Sequence, residues 1–417
     1  MNRKVNAFAG TLAAFVLLLS TGSCNKETVG TDRVANDTNC SCTASDDATV
    51  LQVGADKPFK TIKAAAEAAG NNTVVEIDAG TYRGDVALWT QDHLVIRAVG
   101  GEVILDADGK YVDGKGIWEM RGGKVCVEGI TFINAKVPDQ NGAGIRLASG
   151  QLTVIGCRFL HNEMGILTAN EQSISLTVRN SEFGYGGYGD GYSHNLYVGH
   201  IGWTDISGCW FHHAANGHLI KSRAALSHIY CNLIADGNDA DARASYEIDI
   251  PSGGQAVIVG NIIQKSPTPE NIYVISFAKE SSTHYPVNRI FIAHNTIINS
   301  HNGSNDRVLG APQSGVEIYM LNNAIQENTK FDANIPMTAE KGNIFYKSGE
   351  LTANGYPAAT TVVETWKSRL EKNIDGYLPQ DLKAKSLSLT PSHQYVDPMH
   401  TQELTGRPSI PGAVQTP

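Results

Sequence analysis

The sequence has little charge, and basic residues are the scarcer kind. Of its 417 residues 18% are charged, and 33 Lys and Arg residues stand against 42 Asp and Glu residues, for a formal net charge of -9. With 41% hydrophobic residues the chain is too apolar to be disordered, so we expect a packed protein. A negative chain is not generally attracted to nucleic acid, and we expect no nucleic-acid partner. An anionic ligand would need a local patch of basic residues.

The sequence also lacks a hydrophobic run suited to a membrane-spanning helix. The main apolar stretch, residues 7–20, is too short to cross a bilayer. It follows Arg3 and Lys4, and this order of basic and apolar residues is typical of a secretory signal. We therefore interpret residues 1–23 as a targeting segment that is not part of the folded protein.

This segment ends in the small residues Thr21-Gly22-Ser23, followed by Cys24. The ending resembles a bacterial lipobox, although Thr21 replaces the usual leucine, and the resemblance implies cleavage before Cys24 and a diacylglycerol on its sulfur. Asn25 is compatible with the outer membrane of a Gram-negative cell. The protein would then be exported and would contact the membrane only through its lipid, with residues 24–49 as a flexible tether. An ordinary signal peptide with an incidental cysteine is the alternative.

The seven cysteines do not by themselves define a set of disulfides. Cys40 and Cys42 lie in the tether, where the sequence leaves their pairing open. The remaining cysteines of the body are interpreted as small buried hydrophobic residues. They are Cys126, Cys157, Cys209 and Cys231.

The sequence has few prolines, 15 compared with 42 glycines, and it contains an internal repeat. A short sequence motif occurs nine times, and we interpret it as the end of a strand, a tight turn and a closing apolar residue. Successive closing residues are 20 to 34 positions apart. We call this motif the phrase. The closing residues are Phe132, Phe159, Phe183, Phe211, Ile234, Ile263, Ile297, Ile325 and Phe345.

A repeat of this length predicts an all-β fold, a right-handed parallel β-helix over residues 50–345. A single turn cannot bury its apolar face alone, so the turns must stack about 4.8 Å apart. The middle position of the phrase becomes asparagine in the later repeats, which predicts a ladder of stacked amides. These residues are Asn232, Asn261, Asn295, Asn323 and Asn343. A sandwich of antiparallel strands is the alternative, and it would favour shorter spacing and Asn-Gly hairpins.

The segment before the repeats, residues 58–82, contains an Ala-rich helical stretch at 63–69. It resembles the opening segment of the pectin-lyase-like β-helix superfamily, and the resemblance implies a helix that caps the N-terminal end of the coil. A cap covers the strand edge and the apolar mouth of the first turn. Because the repeat is lost after Phe345, residues 346–417 are predicted to be an irregular segment packed on the coil.

Six of the thirteen histidines fall between residues 194 and 228, near three polar segments. Asn195, His218 and Tyr246 mark the three segments, and they are 23 and 28 residues apart, which is about one turn each. We therefore expect the segments to lie side by side on one sheet. Alternation along residues 246–250 predicts that Glu247 and Asp249 point to solvent. Lys221 should also face outward, because burying an unpaired ammonium group is costly. The catalytic candidates are Lys221, His218, Arg223, His194, Glu247 and Asp249, and the substrate-binding candidates are Asn195, Tyr197 and Tyr246.

The phrase from His218 to Ser222, followed one turn later by residues 245–249, resembles the catalytic region of the alginate-lyase and chondroitinase-B family. The resemblance implies β-elimination on an acidic polysaccharide, with Lys221 as the base that removes the C5 proton. The arginine position of that family falls on Asp249, which is a departure from its pattern. Arg223 substitutes for that arginine only if its turn presents it to the groove.

Two other functions stay open at this point. Glu247 and Asp249 are two positions apart on one strand, about 6 to 7 Å, which is near the lower end of the range for an inverting glycoside hydrolase. The third hypothesis is a lipid-anchored β-helix that binds glycan without cleaving it, because the fold alone does not establish an activity.

No cofactor and no metal site are predicted, with calcium as the one open alternative. Asp236, Asp239 and Asp241 have a spacing that suits calcium, but the EF-hand pattern is incomplete, so a solvated loop is expected. His212 and His213 are adjacent and should point to opposite faces of a strand, which does not favour a zinc site. The sequence gives no sign of oligomerisation, and we expect a monomer.

Overall fold

The computed structural model describes residues 42–280, 285–301, 303, 305–352 and 358–415. These residues form a parallel β-solenoid of about ten turns, with 43% strand and 6% helix. Neighbouring turns pair in parallel, as Ser175–Arg179 does with Trp203–Ser207. The predicted right-handed parallel β-helix is confirmed, and the alternative of an antiparallel sandwich is wrong.

The strands of each turn lie on three faces, which we call sheets 1, 2 and 3. Sheet 1 consists of Ala87–Trp89, Gly116–Met120, Ala143–Leu147, Met164–Thr168, Leu196–Val198, His218–Ser222, Tyr246–Ile250, Tyr273–Phe277 and Arg307–Gly310. Sheet 2 consists of Thr49–Val53, Thr73–Arg83, Leu94–Asp106, Lys124–Glu128, Gln151–Ile155, Ser175–Arg179, Trp203–Ser207, Leu226–Tyr230, Gln255–Val259, Arg289–Ala293, Glu317–Leu321 and Ala339–Lys341. Sheet 3 consists of Ile130–Ile133, Arg158–Leu160, Glu182–Gly184, Trp210–His212, Leu233–Ala235, Ile262–Lys265, Thr296–Asn299, Ala324–Gln326 and Ile344–Tyr346. Two long strands of the first turns, Thr73–Arg83 and Leu94–Asp106, make sheets 2 and 3 continuous.

Sheet 3 aligns the repeat that the sequence contains. Phe159 pairs with Phe132 on one side and with Phe183 on the other. The series continues through Phe211, Ile234, Ile263, Ile297 and Ile325 to Phe345. The nine closing residues therefore occupy one position on nine successive turns, and the connections between strands absorb the differences in spacing.

The interior is filled by columns of apolar side chains that follow this register. The rings of Phe132, Phe159, Phe183 and Phe211 form one column, with centroids 4.7 to 5.0 Å apart and nearly parallel planes. All four are at most 2% exposed. Stacked aromatic pairs add to the free energy of apolar burial, so this column stabilises the middle of the coil.

The predicted asparagine ladder is present at the turn between sheets 2 and 3. The Nδ2 group of each asparagine donates a hydrogen bond to the Oδ1 atom of the next one, at 2.9 to 3.1 Å. The backbone N–H of the same residue donates to the same oxygen. Each amide also donates to a backbone carbonyl of the preceding turn, as Asn261 does to Ile229 at 2.9 Å. The ladder thus satisfies polar groups that the tight turn leaves buried.

A short helix, Ile62–Ala68, covers the N-terminal end of the coil, as predicted. The side chain of Thr61 caps it by accepting a hydrogen bond from the N–H of Ala64, at 3.2 Å. The carboxylate of Asp85 accepts hydrogen bonds from two further N–H groups at the helix start. The residues that this helix buries against the main core are Ile62, Ala65 and Ala66.

The C-terminal segment packs on the outer face of sheet 2 and, through Trp366 and Ile410, against the last strands of sheet 3. It contains the helices Thr360–Lys367 and Gln380–Lys383, the 3-10 helix Ile374–Tyr377, and an antiparallel hairpin of His393–Val396 and His400–Glu403. Leu382 and Leu389 are fully buried against a patch that includes Val257 and Phe291. In this region sheet 2 is apolar on both faces, and the segment removes the outer one from water.

Cys42 and Cys126 form a disulfide across 84 positions of sequence. The pairing of Cys42, which the sequence leaves open, is thus with the coil, and the interpretation of Cys126 as a residue that only fills space is wrong. Neither residue carries a local signal for pairing, because a disulfide depends on the approach of two backbones in space.

Three other cysteines of the body behave as predicted. Cys157, Cys209 and Cys231 are free and buried. The predicted targeting segment, Cys24 and Cys40 lie outside the described residues. Within the described ranges, no helix has both the length and the apolar character that crossing a membrane requires.

We predict that Asn261→Ala lowers the free energy of unfolding by about 3 kcal/mol or more, because the buried donors and acceptors that the amide serves would lose their partners. Asn334→Ala, at an exposed asparagine outside the ladder, is the matched control and should change it by less than about 0.5 kcal/mol. Urea unfolding of the three proteins measures both values. Equal midpoints for the two variants would show that the ladder does not stabilise the coil.

Candidate functional site

A stripe of polar side chains follows sheet 1 across successive turns. The register places Tyr197 beside Lys221, Lys221 beside Asp249, and Asp249 beside Ser276. Alternate positions of these strands carry isoleucines that are fully buried in the core, namely Ile220, Ile248 and Ile275. The alternation of strand residues therefore brings Tyr197, Lys221 and Asp249 together on one face of neighbouring turns.

The stripe continues toward the N-terminus through residues that were not among the candidates from sequence. Leu167 pairs with Tyr197 and with Arg146, and Arg146 pairs with Glu119. We call the series Glu119, Arg146, Leu167, Tyr197, Lys221, Asp249 and Ser276 the outer stripe. Its earlier members lie outside the histidine-rich interval, but the strand spacing of about one turn could have identified them.

Lys221 is held by a buried carboxylate. Its Nζ atom lies 3.5 Å from Oδ2 of Asp249, and Nε2 of His218 lies 3.3 Å from the same oxygen. The side chain of Lys221 is 14% exposed and that of Asp249 is 6% exposed. Burial opposes ionisation of Asp249, but the hydrogen bond to His218 and the charges of His218 and Lys221 outweigh it and lower the pKa of this carboxyl. Lys221 is thus held in place at the floor of the stripe.

Arg223 extends beside the stripe at the end where the strands of sheet 1 finish. Its guanidinium donates hydrogen bonds to the hydroxyl of Tyr197 at 3.1 Å and to Oγ of Ser252 at 2.8 Å. It also donates to both carboxylate oxygens of Glu280. The turn after His218–Ser222 therefore presents Arg223 next to Tyr197. Glu280 was not predicted, because it comes from a connection with no sequence motif.

The two histidines of the site pack on each other. The rings of His194 and His218 are stacked with centroids 4.5 Å apart, and Nδ1 of His194 accepts a hydrogen bond from the backbone N–H of His218 at 3.0 Å. His194 is 1% exposed, and burial, with the nearby positive charges of His218, Lys221 and Arg223, holds its pKa well below the usual range. His194 is therefore a neutral residue behind the groove surface, whereas His218 contacts Asp249 directly.

Tyr246 lies on the other side of His218, with ring centroids 5.0 Å apart. Burial and the negative charge of Asp249 raise the pKa of Tyr246 to about 12. Its phenol stays protonated at neutral pH and is a hydrogen-bond donor at the edge of the site.

The prediction that Glu247 and Asp249 point to solvent is wrong for both, because Asp249 is only 4% exposed and Glu247 is inaccessible. The side chain of Glu247 is fully buried, and Oε1 accepts a hydrogen bond from the backbone N–H of Ser266 at 2.9 Å. Burial raises the pKa of this carboxyl to about 7, against the opposing influence of the Lys265 charge. Alternation describes which way a strand residue turns, but it does not reveal that the connection beginning at Ser266 covers the side chain.

The burial of Glu247 overturns the geometry assumed for a glycoside hydrolase. An inverting enzyme needs two carboxyl groups that flank a bond of the substrate with room for water. Glu247 is inaccessible, and Asp249 is buried in contact with His218 and Lys221. The pair does not line a common cleft.

The exposed position expected for Asn195 is also wrong. The residue is 1% exposed, and its Nδ2 group donates to the backbone carbonyls of Phe183 and His212, at 3.2 and 2.7 Å. Its Oδ1 atom accepts from the N–H of Gly186 at 3.0 Å. All of these contacts are internal, so Asn195 fixes the connection before sheet 1 and does not face a ligand.

The acidic loop considered for calcium does not gather its carboxylates. Asp236 is fully buried and accepts hydrogen bonds from the backbone N–H groups of Ala214 and Ala244. Asp239 contacts His213 at 3.0 Å and accepts a hydrogen bond from the N–H of Asp241. In the portion of the chain covered by the structure, no group of three or more His, Cys, Asp or Glu side chains is arranged to hold a metal ion.

The expectation that His212 and His213 point to opposite faces is wrong. His213 has a φ of 49°, so the strand ends at His212 and alternation no longer applies. The two Nδ1 atoms lie 2.7 Å apart, with Glu182 at 3.1 Å from Nε2 of His212 and Asp239 at 3.0 Å from Nε2 of His213. The pair is part of a hydrogen-bonded chain between two carboxylates.

Comparisons with known proteins support the fold. No protein-family model and no curated protein sequence matches this chain. Among solved structures, it is similar to the pectate lyase Pel9A, with a TM-score of 0.56, 16% identity, and coverage of 88% of this chain and 97% of that one. A pectin methylesterase, PemA from Erwinia chrysanthemi, aligns with a TM-score of 0.39 and 12% identity over 64% of this chain and 94% of its own. The likeness to Pel9A confirms the right-handed parallel β-helix fold.

We predict that Glu247→Gln changes how stability depends on pH. Between pH 4.5, the ordinary pKa of a glutamate, and about 7, the folded protein holds a proton on Glu247 that the unfolded chain has released. The free energy of unfolding therefore falls as pH rises through this window, by roughly 3 kcal/mol over its width. The Gln variant lacks this component, so its stability relative to the wild type should rise between pH 5 and pH 8. Urea unfolding at both pH values measures the difference, and parallel pH profiles would contradict it.

Proposed function

We propose that this protein is a polysaccharide lyase that cleaves a uronate-containing polysaccharide by β-elimination at Lys221. The observation that carries the proposal is the position of Lys221, which is held between Tyr197 and Asp249 on adjacent turns. Arg223 lies beside it, and its guanidinium reaches the hydroxyl of Tyr197. Two cations and a phenol within one patch suit an anionic sugar, although the chain as a whole is negative.

Elimination requires three groups, and the patch offers a candidate for each. Arg223 binds the uronate carboxylate, which stabilises the negative charge that develops at C5. Lys221, once it has released its own proton to water, accepts the C5 proton, and the C4–O bond breaks as the C4–C5 double bond forms. Tyr197 donates a proton to the leaving oxygen, since an arginine does not release its own at neutral pH. His218 and Asp249 position the base.

The contact between Arg223 and Glu280 supports the assignment of Arg223. The guanidinium donates to both oxygens of this carboxylate, which is the geometry that a sugar carboxylate would adopt. Glu280 is 46% exposed, so it can leave without unpacking the core. We expect the uronate to replace it.

The neighbour of known structure agrees with a uronate substrate. Pel9A is named as a pectate lyase, and it shares the fold over most of both chains. We therefore regard a pectin-like polyuronate as the first substrate to test. A protein that binds such a glycan without cleaving it is the remaining alternative.

Export and lipid attachment at Cys24 complete the proposed function. The disulfide between Cys42 and Cys126 supports it, because disulfides persist in oxidising compartments outside the cytosol. A lipid at Cys24 would hold the coil at the membrane surface of the cell. Loss of membrane association in a Cys24→Ser protein would support the anchor, and unchanged association would argue against it.

We predict that Lys221→Ala and Lys221→Arg both reduce turnover of polygalacturonate by at least about a hundredfold, because each removes the base. The arginine variant keeps the positive charge and should keep substrate binding, since its guanidinium does not lose a proton. The unsaturated product is followed by ultraviolet absorbance, in parallel with reducing ends. Lys124→Ala, at an exposed lysine of sheet 2, is the control and should be fully active.

Each signal in this assay has a separate meaning. If the ultraviolet absorbance and the concentration of reducing ends both increase, the reaction is elimination. If only the concentration of reducing ends increases, the reaction is hydrolysis. Binding with neither signal would establish the non-catalytic alternative. Full turnover by Lys221→Arg would remove Lys221 as the base.

A further inference from the structure

The connection from sheet 3 to sheet 1 at residues 185–195 presents two tyrosines to solvent. The exposed fractions of Tyr188 and Tyr192 are 55% and 82%. A third tyrosine, Tyr185, is also 43% exposed, but its ring is stacked between those of His161 and His213, at 4.8 and 4.7 Å. Tyrosines combine a large apolar ring face with a polar hydroxyl, and they are enriched at recognition sites.

The backbone that carries these two rings is pinned from within. The N–H of Tyr188 donates to Oγ of Ser193, and the N–H of Tyr192 donates to Oδ1 of Asp190 at 2.9 Å. Ser193 is fully buried, and its hydroxyl also donates to Asp190. The N–H of Gly187 donates to the backbone carbonyl of Asn162 on the previous turn, at 3.1 Å. Rings on a fixed backbone lose little conformational entropy when a ligand packs on them.

This connection leads directly into the proposed active site. Two residues after Tyr192 is His194, whose ring lies 4.5 Å from that of His218 and 5.6 Å from that of Tyr197. The connection therefore flanks sheet 1 where its strands begin. Arg223 flanks the same sheet where its strands end, so the two features lie on opposite sides of Lys221.

The chemistry of the connection differs from that of the outer stripe. Residues 184–193 include neither lysine nor arginine, and five of them are glycine, which leaves space around the rings. The carboxylate of Asp190 is occupied by the N–H of Tyr192 and the hydroxyl of Ser193. The surface is therefore suited to the flat, partly apolar C–H face of a sugar ring, and it offers no cation for that ring's carboxylate.

We propose that Tyr188 and Tyr192 form a sugar-binding subsite that packs against the C–H face of a pyranose ring of the same polysaccharide, beyond the ring that reacts at Lys221. The aromatic face is negative and the C–H edges of a sugar ring are positive, so the two attract while apolar surface leaves water. This inference rests on the proposed function, since it assigns further contacts to that substrate. It predicts recognition of the sugar ring itself and not of its charge.

The test compares binding of polygalacturonate by the wild type, a Tyr188→Ala/Tyr192→Ala double variant and the corresponding Phe double variant, using affinity gel electrophoresis. The Ala pair should bind at least about tenfold more weakly, whereas the Phe pair, which keeps both ring faces, should stay within about twofold of the wild type. Tyr111→Ala, at a tyrosine that is 41% exposed on another turn, is the matched control. Thermal unfolding of each variant verifies that it is folded.

Salt concentration separates stacking from charge. The ratio of wild-type affinity to the affinity of the Ala double variant should be the same at low and at high salt, because apolar packing is not screened. The ratio of wild-type affinity to that of Lys221→Ala should decrease as the salt concentration rises.

Three outcomes would overturn the inference. If the wild type cleaves the polymer and the Ala pair binds equally well, the subsite is wrong while the proposed function stands. If the Phe pair is as weak as the Ala pair, the hydroxyls and not the ring faces make the contact. If the wild type neither binds nor cleaves any polyuronate, the proposed function and the subsite both fail.

Discussion

The structure depends on the stacking of each turn on the one before it in strict register. A parallel coil buries its apolar side chains only if every turn supplies an inward residue at the same place, and the hydrogen bonds between turns fix that place. The buried column from Phe132 to Ile325 and the asparagine ladder are two results of this constraint. The same register sets the outer face, so residues such as Lys221 and Asp249, far apart in sequence, become neighbours.

Those features of the fold that repeat could be predicted from the sequence. The phrase that ends at Phe132 recurs often enough to reveal the period, and the helix at Ile62–Ala68 follows from a capping threonine and a run of small apolar residues. The disulfide of Cys42 with Cys126 could not be predicted, since it joins a segment outside the repeat to one within it. Pairing of that kind depends on the path of the chain in space.

At the candidate site, the direction of a side chain could be predicted only where strand residues alternate between the two faces and no connection covers the strand. This was so for Lys221 and Tyr197, and the turn after Ser222 brought Arg223 beside them. It failed for Glu247, which is covered by a connection, and for His213, where a positive φ ends the strand. Long connections carry no periodic signal, and for that reason Glu280 also went unnoticed.

A crystal structure of the Lys221→Ala protein with a bound galacturonate oligomer would test the account most directly. We expect a sugar carboxylate on Arg223 in the place of Glu280, with C5 of that sugar facing position 221 between Tyr197 and Asp249. An oligomer bound on another face of the coil, or one with its carboxylate away from Arg223, would contradict the account.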